Sequence, residues 1–201
     1  MKKTSSPKHI DTQLTTAGRN PDENFGIIHP PVYHASTVTF PTVAALEEAG
    51  KHKFDQVFYG RYGTPTTFAF EQAVATLEGA AHGVALPSGM AAIAVSMIAN
   101  VKAGDHVLLT DNAYHPTISL AQGILQSFGV ESSLFDPMAG AGVADHIRPN
   151  TRMVMVEAPG SVTFEVQDIP AHCGAAPKAG ALVAMIKPWG GARFFTRLFP
   201  G

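Results

Sequence analysis

Short apolar runs that recur along the second half of the chain place the strongest constraint on its fold. From Gly83 onward these runs are VALP, HVLLT, VESSLF, RMVMVEA and ALVAM, separated by helical or loop segments. Strand and helix in alternation are typical of a parallel sheet whose crossover helices pack on its faces. We therefore predict an α/β fold that binds ligands at the carboxyl ends of its strands.

The residues before these runs predict a polar arm followed by two helices. MKKTSSPKHIDTQLTT carries two early lysines but lacks the apolar core of a signal peptide. A short helix is expected from about Thr42 to Ala49, closed by Gly50. A longer helix has Thr64 as its cap, Pro65 at its first position and Gly79 past its end.

The expected domains are an arm with a short helix over residues 1–50, an incomplete α/β domain over 51–186 and a divergent tail over 187–201. This division follows the change of composition along the chain.

Charge and cysteine content argue against several classes of function. The 14 basic and 16 acidic residues give a net charge of -2 and are mixed along the chain, which disfavours nucleic acid as a partner. The single Cys173 cannot form an internal disulfide, and no apolar run is long enough to span a bilayer. A cytoplasmic location is expected. The nine scattered histidines lack metal-ligand spacing, so no metal site is proposed.

Two segments could bind an anion. Ser88, Gly89 and Met90 lie between an apolar run and a helix, where free amides favour an anion such as phosphate. The alternative is a tight turn without a ligand. Tyr59 and Arg61 lie two residues apart in a Gly-punctuated segment and could form an anion clamp. The alternative is a solvated arginine beside a packed tyrosine.

Two further loops follow predicted strands. Tyr114 could stack on a flat cofactor ring, although packing alone also explains an aromatic residue there. His115 is expected to be a loop residue rather than a catalyst. In the loop APGSVTFE, Ser161, Thr163 and Glu165 could orient a substrate or cofactor, and turn chemistry is the alternative.

Five motifs, in this order, carry a family resemblance: PVYHASTVTF, YGRYGTPT, ALPSGMAAI, DNAYHPT and EAPGSVTFEVQDIPA. Together they resemble the trans-sulfuration (Cys/Met metabolism) family of pyridoxal-phosphate-dependent enzymes, and within it the cystathionine β-lyases. The resemblance covers residues from about 11 to 185 and only the amino-terminal half of such enzymes. It implies the arm and most of the parallel-sheet cofactor domain of a truncated fold-type I enzyme.

The β-lyases are preferred over γ-synthases, γ-lyases and sulfhydrylases on two motifs. The γ-acting relatives usually show a Y-S-R clamp and an N-P-T turn. This chain has Tyr59-Gly60-Arg61 and the turn Gly160-Ser161-Val162-Thr163 instead. The preference rests on these motifs and not on a deduced pocket.

The resemblance implies a role for each candidate residue. Ser88, Gly89 and Met90 would hold the phosphate of pyridoxal 5'-phosphate, and Tyr114 would stack on its ring. The resemblance also implies a homotetramer in which neighbouring subunits share their sites. Tyr59 and Arg61 would then reach the phosphate of a neighbouring subunit's cofactor. Whether this truncated chain forms such a tetramer does not follow from the resemblance.

The implied reaction converts cystathionine, an amino-acid substrate, to homocysteine, pyruvate and ammonia in methionine biosynthesis. Two features depart from the family. Ile186-Lys187-Pro188-Trp189 stands where the family has D-N-T-W, so the carboxylate that pairs with the pyridine nitrogen is missing. None of the eight lysines follows a Ser or Thr, so the aldimine lysine is absent and covalent attachment of the cofactor is not expected.

We therefore expect a truncated, inactive copy of a carbon-sulfur β-lyase. The alternatives are another trans-sulfuration enzyme or a non-catalytic partner of a full-length homologue. A dinucleotide-binding domain is disfavoured because no G-x-G-x-x-G follows a predicted strand.

Overall fold

A computed structural model describes residues 8–54, 56–189 and 191 of the chain. Contacts divide the chain into two units, Met1–Ala85 and Leu86–Gly201. Most of the predicted tail, residues 190 and 192–201, lies outside the described part. The predicted domain limits remain predictions.

In its described residues, 8–54 and 56–85, the first unit contains three α-helices. They are α1 (Ile10–Thr16), α2 (Val43–Lys51) and α3 (Pro65–Glu78), with a 3-10 turn at Pro21–Glu23. Helix α3 begins and ends where the sequence signals predict, although the side chain of Thr64 at its N-cap makes no capping hydrogen bond. Pro65 occupies its first turn, and Gly79 ends it in the left-handed region at φ 65° and ψ 23°. Glycine adopts that conformation without the steric cost that a Cβ imposes.

Helix α2 begins as predicted and ends later than predicted. The hydroxyl of Thr42 accepts a hydrogen bond from the amide of Ala45 at 3.1 Å. The helix then continues through Gly50 to Lys51, so the prediction that Gly50 closes it is wrong. A glycine that ends a helix usually adopts a left-handed conformation with positive φ. Gly50 does not have a positive φ, so the helix continues past it.

The second unit carries a four-stranded parallel sheet, as predicted. Its strands are β1 (His106–Thr110), β2 (Glu131–Phe135), β3 (Thr151–Glu157) and β4 (Leu182–Ile186), in the order β2-β1-β3-β4. Its helices are α4 (Gly89–Ile98), α5 (His115–Leu120) and α6 (Ile169–Ala175). Helix α5 continues into a π-helical turn at Ala121–Leu125, and 3-10 segments cover Pro137–His146 and Pro177–Ala179.

Alternate residues of the central strands pack against one face of the sheet. Val107 and Leu109 of β1 join Met153 and Met155 of β3 and the fully buried Met97 of α4. Each such burial contributes about 1.5–3 kcal/mol relative to an exposed side chain. This cluster holds α4 on the sheet, and we call it the α4-side core.

The opposite face has its own buried cluster. Leu108 of β1 and Val154 and Val156 of β3 contact Ile169 of α6 and Phe135 of β2. Because side chains alternate across a strand, β1 and β3 are buried on both faces, as expected for central strands of a parallel sheet.

Two predicted strands differ from the structure. The run VALP is not a strand: Val84 is 77% exposed, and the amide of Ala85 donates to the carboxylate of Glu71 at 2.8 Å instead of to a neighbouring strand. The run ALVAM forms β4, but β4 pairs only with β3 in the described sheet. An apolar run such as ALVAM predicts a strand buried in a parallel sheet. That prediction is wrong for β4, because Leu182 is 51% exposed and the other residues of β4 are half-buried.

Candidate functional site

The turn before α4 presents free backbone amides. The hydroxyl of Ser88 accepts from the amide of Ala91 at 3.0 Å, which caps the helix. Within the described residues, the amides of Gly89 and Met90 have no hydrogen-bond acceptor. A Cβ added at Gly89 would meet no atom within 4 Å, so no protein neighbour requires glycine there. Open space beside two free amides at a helix start suits an anion.

Tyr114 follows β1 and is held through its backbone. Its amide donates a hydrogen bond to Oε2 of Glu157 at 2.6 Å, while its side chain remains 46% exposed. Glu157 is the last residue of β3 and only 3% exposed. Burial raises the pKa of the Glu157 carboxyl, and the hydrogen bond from Tyr114 opposes that shift. A buried carboxyl group therefore fixes the backbone of Tyr114 and leaves its ring accessible.

Asn112 connects the same loop to the segment after β3. Its Nδ2 donates to Oε2 of Glu165 at 3.1 Å, and its Oδ1 accepts from Nε2 of Gln167 at 3.2 Å. Gln167 also donates to the carbonyl of Glu157, and Thr163 donates to Glu165. The hydrogen bonds from Thr163 and Asn112 hold the pKa of the Glu165 carboxyl below its usual value. Both polar atoms of the Asn112 side chain, Nδ2 and Oδ1, therefore have a hydrogen-bond partner.

The loop after β1 and the segment after β3 also contact each other through their backbones. The amide of Ser161 donates to the carbonyl of Asn112 at 2.9 Å. A Cβ on Gly160 would lie 2.2 Å from Nδ2 of Asn112, so any larger residue would displace the Asn112 side chain. The structure therefore brings the predicted Ser161, Thr163 and Glu165 to the loop that bears Tyr114.

His115 has a local partner instead of a place in this network. Its Nδ1 lies 3.3 Å from Oγ of Ser119, one turn further along α5, and both residues are exposed. The expectation that His115 is a loop residue is wrong, because His115 is the first residue of α5.

Tyr59 and Arg61 lie together in the first unit. The Arg61 guanidinium is 5.9 Å from the ring centroid of Tyr59 and 5.5 Å from that of Tyr62. The amide of Gly60 donates to the carbonyl of Ser36 at 2.7 Å, and a Cβ on Gly60 would lie 1.8 Å from the carbonyl oxygen of Ala35. Glycine thus lets this segment pack against residues 35–36. The binding role of Tyr59 and Arg61 remains a prediction.

Ile186 ends β4 beside Glu157, its register partner on β3. The Ile186 side chain packs against the α4-side core. The residues around Ser88 and Tyr114 therefore fit a phosphate and the face of a ring, whereas the end of β4 offers no carboxylate to a ring nitrogen.

Three residues of this network were not singled out from the sequence: Asn112, Glu157 and Gln167. One signal was available for Glu157, since a charged residue closes the otherwise apolar run MVMVE. Nothing in the sequence marks Asn112 and Gln167 as partners, because their contact joins positions 55 residues apart.

In the described part of the chain, no three His, Cys, Asp or Glu side chains lie close enough together to hold a metal ion. No described helix is both long and apolar enough to cross a membrane.

Most of the chain matches one known protein family. The model of the Cys/Met metabolism PLP-dependent enzymes matches residues 11–192. This chain belongs to that family. The family depends on pyridoxal phosphate (PLP), and the resemblance seen in the five motifs is confirmed.

Relatives within the family have several activities. The chain is 39% identical to the cystathionine β-lyase MetC of Escherichia coli over 95% of its own length and 49% of that protein. It is 36% identical to an L-alanine/L-glutamate racemase of Wolbachia pipientis, covering 78% of this chain and 41% of that one. The crystal structure of a cystathionine γ-lyase from Lactobacillus plantarum, complexed with L-serine, superposes with a TM-score of 0.81 at 28% identity, covering 92% of this chain and 46% of that one.

The chain spans about half the length of the curated relatives it matches. Membership confirms the α/β fold of a PLP-dependent enzyme and the match to an amino-terminal half. The named reactions are those of the relatives.

Proposed function

We propose that this chain forms the amino-terminal half of a PLP site of the β-lyase type, which cleaves cystathionine to homocysteine, pyruvate and ammonia. The observation that carries the proposal is the fixed loop of Tyr114, whose half-exposed ring projects from a backbone held by buried Glu157. The similarity to the E. coli β-lyase favours this reaction.

The chain's own residues would hold two parts of the cofactor. The amides of Gly89 and Met90, at the start of the ten-residue helix α4, would bind the phosphate. The ring of Tyr114 would cover one face of the pyridine. When bound, PLP supplies an electron-withdrawing ring that stabilises negative charge on the substrate's α-carbon.

Two requirements of the family chemistry are not met by this half. Ile186 has no ionisable group, and no lysine of the sequence follows a Ser or Thr as the family's covalent lysine does. We therefore expect non-covalent binding of PLP and no cystathionine turnover by the 201-residue chain on its own.

A second candidate role is a non-catalytic partner of a full-length homologue. The exposed Arg61, stacked near Tyr59 and Tyr62, supports it, because a guanidinium fork is suited to a phosphate on another subunit. Co-purification of the chain with an intact family member would support this role, provided that Arg61→Ala weakens the cofactor retention of the mixed assembly.

The test of the main proposal uses Gly89. A Cβ at residue 89 meets nothing within 4 Å outside its own turn of helix, so Gly89→Val should add bulk beside the free amides, block an anion there and leave the fold intact. The dissociation constant of PLP, measured by equilibrium dialysis on the 201-residue chain, should rise at least about tenfold, as expected for loss of charge-assisted hydrogen bonds.

Gly174→Val is the matched control. Gly174 lies within α6, and a Cβ there also meets nothing within 4 Å. Equal PLP affinity in the Gly89 and Gly174 variants would reject the phosphate site.

A further inference from the structure

Glu157 is a buried carboxyl group at the end of the sheet where the predicted ligand lies. It is 3% exposed, and its Oε2 lies 2.6 Å from the backbone nitrogen of Tyr114. Tyr114 is also the residue from which α5 starts, and no side-chain hydrogen bond caps that start. The Glu157 carboxyl group therefore accepts a hydrogen bond from the backbone amide of the same residue whose ring is expected to contact the ligand.

The ring of Tyr114 has little else to orient it. Among the described residues, its hydroxyl has no hydrogen-bond partner and its ring has no aromatic neighbour. Ala113, directly before it, is 5% exposed, so the chain enters the turn from a buried position. The direction of the ring therefore depends on the backbone of residues 112–114.

That backbone is fastened at two points on the same neighbouring segment. Asn112 is bound through Gln167, Glu165 and the amide of Ser161, while Tyr114 is bound through Glu157. Gln167 joins the two points because its Nε2 donates both to Asn112 and to the carbonyl of Glu157. Removing the acceptor at Glu157 would leave the amide of Tyr114 without its hydrogen bond, while the Tyr114 carbonyl would still accept from the amide of Thr117 at 2.7 Å.

We infer that Glu157 is a positioning residue that sets the orientation of the Tyr114 ring through the backbone amide, and so prepares the ring to cover a flat aromatic ligand. The ligand assignment rests on the proposed function above. The positioning itself is a property of the free chain. Glu157 need not touch the ligand, and its role requires an acceptor oxygen at that place, not a negative charge.

Two conservative substitutions separate position from charge. Glu157→Gln keeps a carbonyl oxygen within reach of the Tyr114 amide and removes the charge. Glu157→Asp keeps the charge and withdraws the oxygens by one methylene. Glu131→Asp is the control, because Glu131 is an exposed carboxylate at the start of β2 that pairs with Arg148 at 3.0 Å.

The measurements are made on the 201-residue chain without and with PLP. Amide exchange at Tyr114 is followed by NMR, ring order by the fluorine signal of 3-fluorotyrosine at position 114, and affinity by the PLP dissociation constant. We expect Glu157→Asp to speed the Tyr114 exchange about tenfold, to shift the fluorine signal towards that of free fluorotyrosine and to raise the dissociation constant about tenfold. Glu157→Gln and Glu131→Asp should match the unchanged chain.

The outcomes are distinguishable. Loss of order in Glu157→Gln, or wild-type behaviour in Glu157→Asp, would overturn the inference. So would a shifted ring signal in Glu157→Asp with unaltered PLP affinity. If the expected exchange and ring signals occur but the unchanged chain does not bind PLP, the proposed function fails and the positioning role is supported.

Discussion

The imidazole of His106 bridges the two strands that flank β1. Its Nδ1 lies 2.8 Å from Oγ1 of Thr151 and its Nε2 lies 2.8 Å from Oγ of Ser133. The side chain is fully buried. Burial lowers the pKa of His106, as does Arg148 to a lesser degree, while Glu131 opposes the shift. Folding therefore favours the neutral imidazole.

The first prediction concerns acid stability. The pKa of the fully buried His172 is also lowered by burial, with Asp168 opposing, and neither ring nitrogen has a hydrogen-bond partner in the described part of the chain. Since the unfolded chain binds protons at these sites more readily, the free energy of unfolding should fall as the pH drops below about 6.5. The slope per site is at most about 1.4 kcal/mol per pH unit.

Urea unfolding from pH 8 to pH 5 measures this slope. His172→Phe should flatten the profile by the contribution of one site. A flat profile in the unchanged chain would contradict the prediction.

The second prediction concerns the buried charge of Glu157. Because burial raises the pKa of this carboxyl, its ionised form costs stability above the unfolded value of 4.5. Glu157→Gln removes the charge and should raise the free energy of unfolding at pH 7. The difference between the two chains should shrink as the pH falls through the raised pKa of folded Glu157 towards 4.5. A less stable glutamine variant at pH 7 would show that the hydrogen bond from Tyr114 outweighs burial.

The third prediction concerns the close approach at Gly160. Gly160→Ala would force a Cβ to within 2.2 Å of Asn112 and displace its amide. We expect a loss of about 2 kcal/mol in the free energy of unfolding, as for overpacking elsewhere. Gly142→Ala is the control, since the nearest atom to its added Cβ is 4.0 Å away. Similar urea midpoints in both variants would contradict the close approach.

The fourth prediction concerns covalent chemistry. The eight lysines include none with the Ser or Thr that precedes the family's covalent lysine. Incubation with PLP and borohydride should give only weak labelling scattered over several lysines. Peptide mass mapping that finds one lysine labelled stoichiometrically would refute this.

Much of the fold could be predicted from sequence because its signals are local. Apolar runs mark β1, β2 and β3, and Pro65 with Gly79 bounds α3. The run VALP carries the same signal but has no neighbouring strand among the residues that the structure describes. A strand without a neighbour cannot form the backbone hydrogen bonds of a sheet. The prediction of a strand at VALP is therefore wrong because the run lacks a strand to pair with, and not because its composition is unsuitable.

The candidate site also has a part that local sequence predicts and a part that depends on long-range contacts. Ser88, Gly89 and Met90 are consecutive, so the turn and the helix start could be recognised from the sequence. The bond between Tyr114 and Glu157 spans 43 residues, and only the pairing of β1 with β3 brings the two together.

The sequence by itself determined the α/β class, the family and the types of residue available to hold a phosphate and a ring. The tertiary structure decided the partial exposure of β4, the neutral environment of His106 and the attachment of Tyr114 to Glu157. Local patterns encode the propensity to form a strand or a helix, since neighbouring residues determine it. Burial and long-range hydrogen bonds depend on which strands become adjacent, and that is settled only when the sheet assembles.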